Sequence, residues 1–322
     1  MKVYPIKFNP ILKEKIWGGN KLKTVLNKET HKDDVGESWE ISDVEGNVSV
    51  VKNGVYKGSS LKELIKTHKS NFLGTHNFEN FGYNFPLLIK FLDAKTDLSV
   101  QVHPDNEMAK KYHDSFGKTE MWYIMDSDKN ADIVLGLKDE TTNPEVLNHI
   151  TSENVDEIFN REQVTKGDSF FIPAGKIHAI GAGVLAAEIQ QTSDITYRVY
   201  DWDRKDANGQ KRELHTKLAE QATKQFDSNG KSDYTIEKDS CSNLANCEYF
   251  TTNILDFTKR QEKNYSDLDS FIIYMCVEGK VDVATGEHTE TLKTGETIIL
   301  PANTDQVVFN TSHAKLLEVY IN

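Results

Sequence analysis

The 322-residue sequence predicts a mainly β protein built from two related units, and three observations carry that reading. Short runs rich in Val, Ile, Phe and Tyr recur between turn signals: YNFPLLIKFL, LSVQVH, EMWYIM, ADIVLGL, DSFFIPA, VLAAEIQQ, FIIYMCVEG and ETIILPA. Helical periodicity is confined to three stretches. Finally, KGDSFFIPAGKIHAI (166–180) is echoed by TGETIILPANTDQVV (294–308), each with a Gly, an acidic residue, an apolar run and Pro-Ala.

Taken in order, SLKELIKTHKSNFL predicts a helix with Leu61, Leu64 and Ile65 on one stripe. The apolar run PLLIKFL follows as a strand, with Lys90 inside it. In the next run, SVQVHPDNE (99–107), alternate side chains of an extended chain share a face. Ser99, Gln101 and His103 then point to one side, and Leu98, Val100 and Val102 to the other. A hydroxyl, an amide and an imidazole in one row are suited to holding something. Further helices are expected over about 143–159 and 212–222. The polar, turn-rich FDSNGKSDYTIEKD marks a boundary, giving a catalytic unit over 1–235 and a second unit over 240–322. In the echo, Gly175 becomes Asn303 and His178 becomes Gln306, so one copy keeps its imidazole and the other is expected to be structural.

Composition excludes several function classes. Apolar residues make up 38% and charged residues 27%, and no apolar run approaches the roughly 20 residues of a membrane span. The net charge of −12, without a long basic run, makes nucleic acid and anionic membranes poor partners. An anionic small substrate would need locally placed Lys or Arg. Cys241, Cys247 and Cys276 are odd in number and lack CxxC spacing, which argues for a reducing compartment. With no continuous apolar leader at the N-terminus, a cytoplasmic protein is expected.

The spacing G-x5-P-x-G-x2-H is met by Gly167, Pro173, Gly175 and His178. It resembles the second motif of the cupin superfamily, which implies jelly-roll β-barrels, here two of them with a few short helices. Gln101 and His103 occupy the His-x-His positions of the first cupin motif, and Glu120 supplies its carboxylate. Two imidazoles, one carboxylate and one amide oxygen suit a borderline divalent ion, and one Zn²⁺ per chain is expected. A single carboxylate leaves such a centre positive and able to polarise a carbonyl.

PLLIKFLDAKTDLSVQVHPD, GKTEMWYI, FIPAGKIHAI and EIQQTSDITYRVYDWDR, with KEKIWGG and GESWEIS, together resemble the type I mannose-6-phosphate isomerases in their short bacterial form. The likeness runs over about the first 215 residues. It implies Gln101, His103, Glu120 and His178 as zinc ligands, and Lys90, Lys118, Glu188 and Arg198 as further active-site residues. Ser99 and Arg204 fall where phosphate contacts are expected, and Trp17 where an aromatic could stack on a sugar. The implied activity interconverts mannose 6-phosphate and fructose 6-phosphate through a cis-enediol, with Glu188 or a metal-bound water as the base. An Fe²⁺ cupin oxygenase and a non-catalytic sugar-phosphate regulator are the rival readings. The chain is expected to work as a monomer or weak homo-oligomer. The second unit is expected to be metal-free, with Phe271, Ile273, Ile298 and Leu300 in its core.

Overall fold

The computed structural model describes residues 1–138, 144–205, 208–226 and 230–322, which build three antiparallel sheets. The first half contributes β1 (Ile11–Gly19), β2 (Val35–Ile41), β3 (Leu87–Ala94), β4 (Val100–Val102), β5 (Glu120–Ser127) and β6 (Asp132–Leu137). It continues with β7 (Phe159–Gln163), β8 (Ser169–Ile172), β9 (His178–Ile180), β10 (Val184–Gln191) and β11 (Tyr197–Tyr200). The remainder are β12 (Ser240–Asn246), β13 (Thr251–Phe257), β14 (Gln261–Asn264), β15 (Ile272–Thr285), β16 (His288–Lys293), β17 (Thr297–Leu300) and β18 (Gln306–Tyr320). A six-stranded sheet runs β1-β2-β3-β10-β5-β8, and a five-stranded sheet runs β11-β4-β9-β6-β7. The third runs β12-β13-β18-β15-β16, with β14 on β18 and β17 on β15. The mainly β reading holds. Among the described residues, no helix is long and apolar enough to cross a membrane.

Side-chain alternation explains why the central strands of the first sheet read as unbroken apolar runs. Along β10, Leu185, Ala187 and Ile189 join a core shared with the N-terminal segment, the helices and the third sheet. Val184 and Ala186 turn the other way and pack between the first two sheets with Leu92, Trp122 and Ile124. The same inward face continues into Glu188 and Gln190, both buried. One end of the sandwich is therefore packed with hydrocarbon, and the other carries the polar groups.

The helices depart from expectation in three places. Ser60 and Glu63 form a capping box that starts the helix Leu61–His68, but Lys69 (φ 51°) ends it and a separate turn Ser70–Leu73 follows. The stretch expected as one helix over 143–159 is a 3₁₀ turn, Pro144–His149, and a helical turn, Val155–Ile158, before β7 (Asn143 lies outside the described residues). Asn154 is the cause: its amide donates to the His149 carbonyl at 2.9 Å and accepts from the Thr151 N–H at 2.8 Å. Such side-chain bonds compete with the helical ladder. The helix expected over 212–222 begins only at Thr216, because Arg212 and the Glu213 carbonyl are held by contacts with Asp201 and Arg198. Within the expected boundary segment, residues 227–229 lie outside the described residues.

The sequence echo is structural. Gly167 (φ 98°) and Gly295 (φ 83°) each turn the chain into a short strand, β8 or β17, that ends at Pro-Ala before the next strand. Phe271, Ile273, Ile298 and Leu300 are all fully buried. Phe271 packs at a tilt against Phe85, 4.8 Å between ring centroids, so the third sheet shares a core with the first half rather than standing alone. Phe271→Ala should lower the unfolding free energy by about 3–5 kcal/mol in denaturant titration. Truncation before residue 240 should leave the shared core uncovered and the product aggregated, as light scattering would record. A soluble, monodisperse truncate would contradict this packing.

Candidate active site

Seven strands from two sheets bring the polar side chains together. In the second sheet, Gln101 on β4 stands between Arg198 on β11 and His178 on β9, each its direct cross-strand partner. In the first sheet, Trp39, Lys90, Glu188 and Trp122 form one row across β2, β3, β10 and β5. Glu120 lies one inward position further along β5, opposite Gln190. Val100 and Val102 point into the apolar core as their alternation requires. Leu98, which precedes β4, instead lines the cavity beside Ser99, contrary to expectation.

His103, Glu120 and His178 converge, with ligand atoms all within 4.8 Å of one another and all three side chains buried. The His103 Nδ1–H donates to the Ile195 carbonyl, and the His178 Nδ1–H donates to the Lys176 carbonyl, both at 2.8 Å. A carbonyl can only accept, so both Nε2 atoms carry lone pairs. They face each other at 3.1 Å, and Glu120 oxygens lie 3.4 Å from one and 3.3 Å from the other. Neither Glu120 oxygen receives a hydrogen bond. Gln101 reaches the same point, its Nε2 3.4 Å from His178 Nε2, and half a turn of the amide would present its oxygen. Lone pairs and a carboxylate collected in a buried site are what a cation requires, so the residues fit a metal ion.

The charge states agree. Burial and the Lys118 ammonium push His103 down to about 3, and burial likewise lowers His178. Burial alone would raise the Glu120 carboxyl, but the Lys118 ammonium holds it well below its ordinary range. Lys118 Nζ lies 3.1 Å from Glu120 Oε2 and 3.0 Å from His103 Nε2.

A polar cavity of about 300 Å³ borders this cluster through Gln101 and Lys118. Trp17, Ser99 and Gln101 line it, as do Lys90, Lys118, Glu188 and Arg198. Glu188 is fully engaged: Lys90 Nζ meets one oxygen and Trp122 Nε1–H donates to the other, both at 3.0 Å. Burial would push the Lys90 ammonium down, but Glu188 and Glu37 hold it above its ordinary value. Trp122 also stands edge-on to the His178 ring, 5.4 Å between centroids, linking that row to the cluster. Arg198 donates to the Glu213 carbonyl at 2.8 Å and keeps a buried Nε–H with no acceptor.

Arg204 does not line the cavity. Its guanidinium is spent on the Asp201 carboxylate and the Asp97 carbonyl. Arg212 takes that place in the wall, held by both Asp201 oxygens (Nε–H to Oδ2 at 2.7 Å). No sequence signal marked Arg212. Glu37 and Trp39, also in the wall, sit in GESWEIS, where alternation of two strand residues was the available hint.

A β-sheet sandwich that gathers two imidazoles and a carboxylate beneath a cationic cavity defines a cupin-like protein with a metal-ligand cluster. The family model for the catalytic domain of type I phosphomannose isomerase matches residues 6–143, and that for the mannose-6-phosphate isomerase cupin domain matches 240–321. The chain is 38% identical to the mannose-6-phosphate isomerase ManA of Bacillus subtilis over 317 residues, 94% of each chain. It is 43% identical to the mannose-6-phosphate isomerase of Streptococcus mutans over 211 residues, 66% of this chain and 65% of that one. The crystal structure of a mannose 6-phosphate isomerase from Bacillus subtilis superposes with a TM-score of 0.87 at 34% identity, covering 99% of this chain and 100% of that one. The chain belongs to the type I mannose-6-phosphate isomerase family.

The buried Lys90–Glu188 pair yields a stability prediction. Lys90→Met removes the cation and leaves a carboxylate answered only by Trp122, which should cost about 3–5 kcal/mol in urea unfolding. Lys90→Met with Glu188→Gln should recover most of that loss. A Lys90→Met single variant as stable as the parent would show that the pair is not the counter-charge it is taken to be.

Proposed function

We propose that the protein is a zinc-dependent aldose–ketose isomerase that interconverts mannose 6-phosphate and fructose 6-phosphate through a cis-enediol. The observation that carries this reading is the buried His103, Glu120 and His178 cluster with the half-buried Gln101, which borders a cavity with two arginines in its wall. Zinc held by those four residues would supply a Lewis acid to the substrate oxygens at C1 and C2. The second reading, a cupin oxygenase, is less well served: a fourth protein donor leaves fewer open positions.

The chain's own residues divide the remaining work. Arg198, with its unpartnered Nε–H, offers charged donors to the enediolate oxygens, and Arg212 binds the phosphate dianion with Ser99, on a protein whose net charge is −12. Arg204 acts through Asp201, positioning Arg212. Trp17 packs against the sugar. Glu188, ion-paired with Lys90, takes the carbon-bound proton from one carbon and returns it to the next. Lys118, which borders both the cavity and the ligand cluster, carries the hydroxyl proton between O1 and O2. The aldehyde becomes a hydroxymethyl group and the C2 alcohol a ketone, so no external oxidant or reductant is needed.

We read residues 1–235 as the catalytic jelly-roll unit and 240–322 as a metal-free jelly-roll copy. Among the described residues the one His/Glu/His cluster lies in the first, and Gln306, the counterpart of His178 in the echo, is exposed. A cytoplasmic setting accords with three unpaired cysteines.

Elemental analysis of the purified chain should find about one zinc, and a coupled assay on mannose 6-phosphate should lose its rate on chelation and regain it with zinc. His178→Ala should lose most of the zinc, while Gln306→Ala should keep both zinc and turnover. Full zinc in His178→Ala would refute the ligand set.

The other roles separate kinetically. Glu188→Gln should lower kcat by about 10²–10⁴-fold and Arg198→Ala by roughly 10²–10³-fold, each with zinc retained. Arg212→Ala should act chiefly on KM, raising it about 10–100-fold. An unchanged KM would remove Arg212 from phosphate binding.

A further inference from the structure

A second cleft lies on the far side of the strands that wall the catalytic cavity. Along β2, Glu37 and Trp39 line the catalytic cavity, whereas Glu40 lines a separate cleft of about 640 Å³. Along β3, Lys90 faces the catalytic side, and Phe91 carries the Lys28 ammonium 5.1 Å above its ring on the other. The walls are the N-terminal segment 7–12, the loop 26–29 and the turn 293–297 of the third sheet.

These walls are fixed to one another. Ile6 and Ile299 exchange backbone hydrogen bonds at 2.9 Å, and Lys7 pairs with Glu296 at 3.1 Å. A Cβ placed on Gly295 would meet the Leu26 Cβ at 2.6 Å, so the turn and the loop are in close contact. The cleft is therefore preformed, and its volume lies within the range of small-molecule sites.

Four lysines and three glutamates line it. Two lysines are spent within the wall: Lys7 on Glu296, and the buried Lys28 on Glu40 at 2.6 Å. Among the described residues Lys52 and Lys293 have no carboxylate within ion-pair distance, and both are exposed at the rim, with Glu29 the one unpaired acid beside them. On an acidic chain, a fixed cleft with an excess of ammonium groups favours an oxyanion. Asn9, Asn27 and Thr294 offer amides and a hydroxyl to a polyol, and Phe8 and Leu26 offer an apolar wall to its carbons.

We propose that this cleft is a second small-molecule site, taking a hydroxylated carbon skeleton that carries an oxyanion. The assignment does not rest on the isomerase reading. Isothermal titration of the full-length chain with D-glucitol 6-phosphate, an unreactive polyol phosphate, tests it. Two binding events are expected in the parent chain. Lys52→Glu with Lys293→Glu, both exposed and remote from the core, should weaken one of them at least tenfold, and Arg212→Ala should weaken only the other. Inorganic phosphate and D-glucitol titrated separately would apportion the affinity between the oxyanion and the polyol. A single event that Arg212→Ala abolishes and the lysine reversals leave intact would overturn the proposal. So would a second event that the lysine reversals do not weaken. If Arg212→Ala alters neither event, the reading of the catalytic cavity fails and the cleft assignment stands.

Discussion

A fully buried carboxylate answered by a single ammonium is the constraint around which this fold is arranged. Glu120 is fully enclosed, and the groups aimed at it are one ammonium and two lone-pair nitrogens. An isolated ion in such surroundings would cost several kcal/mol. The Lys118 ammonium offsets part of that cost, and the metal ion proposed above would offset more. The two sheets bring donors from β4, β5 and β9 to one point, the backbone sets both ring orientations, and the hydrocarbon end of the sandwich holds the geometry.

The donor set was legible because its signals are local. Gln101 lies on β4 and His103 just past its end, two residues on, and His178 follows a Pro-Ala-Gly turn whose spacing specifies its exit direction. Period-two alternation then says which face each residue uses. Lys90 was legible for a related reason: a charge inside LLIKFL has no solvent to reach, and it is matched across the sheet by Glu188. Arg212 and Arg204 were not legible in this way. Both belong to irregular chain, and which of them reaches the cavity depends on how Asp201 divides its two oxygens between them.

The same division accounts for the errors in secondary structure. Strands with a buried face were recognised because packing and pattern agree. The expected helix over 143–159 has apolar spacing in its favour, yet Asn154 diverts two backbone groups and the helix breaks. β1 and β2 carry many charged residues, so their strand character shows in pairing and not in composition. Propensity and periodicity describe single segments, whereas these outcomes were decided by contacts between segments.

The Nδ1 bonds of His103 and His178 to backbone carbonyls carry a consequence for how metal content should be interpreted. Because the chain itself orients both rings, the ligand geometry is a property of the fold before any ion arrives. On the proposed function, metal uptake is a loading step and not a folding step, unlike small domains that order only around their ion. Divalent ions of similar size compete for such a site according to supply as well as intrinsic preference. The metal recovered with the protein therefore reports the growth medium along with the site, and exchange under native conditions is the way to tell the two apart.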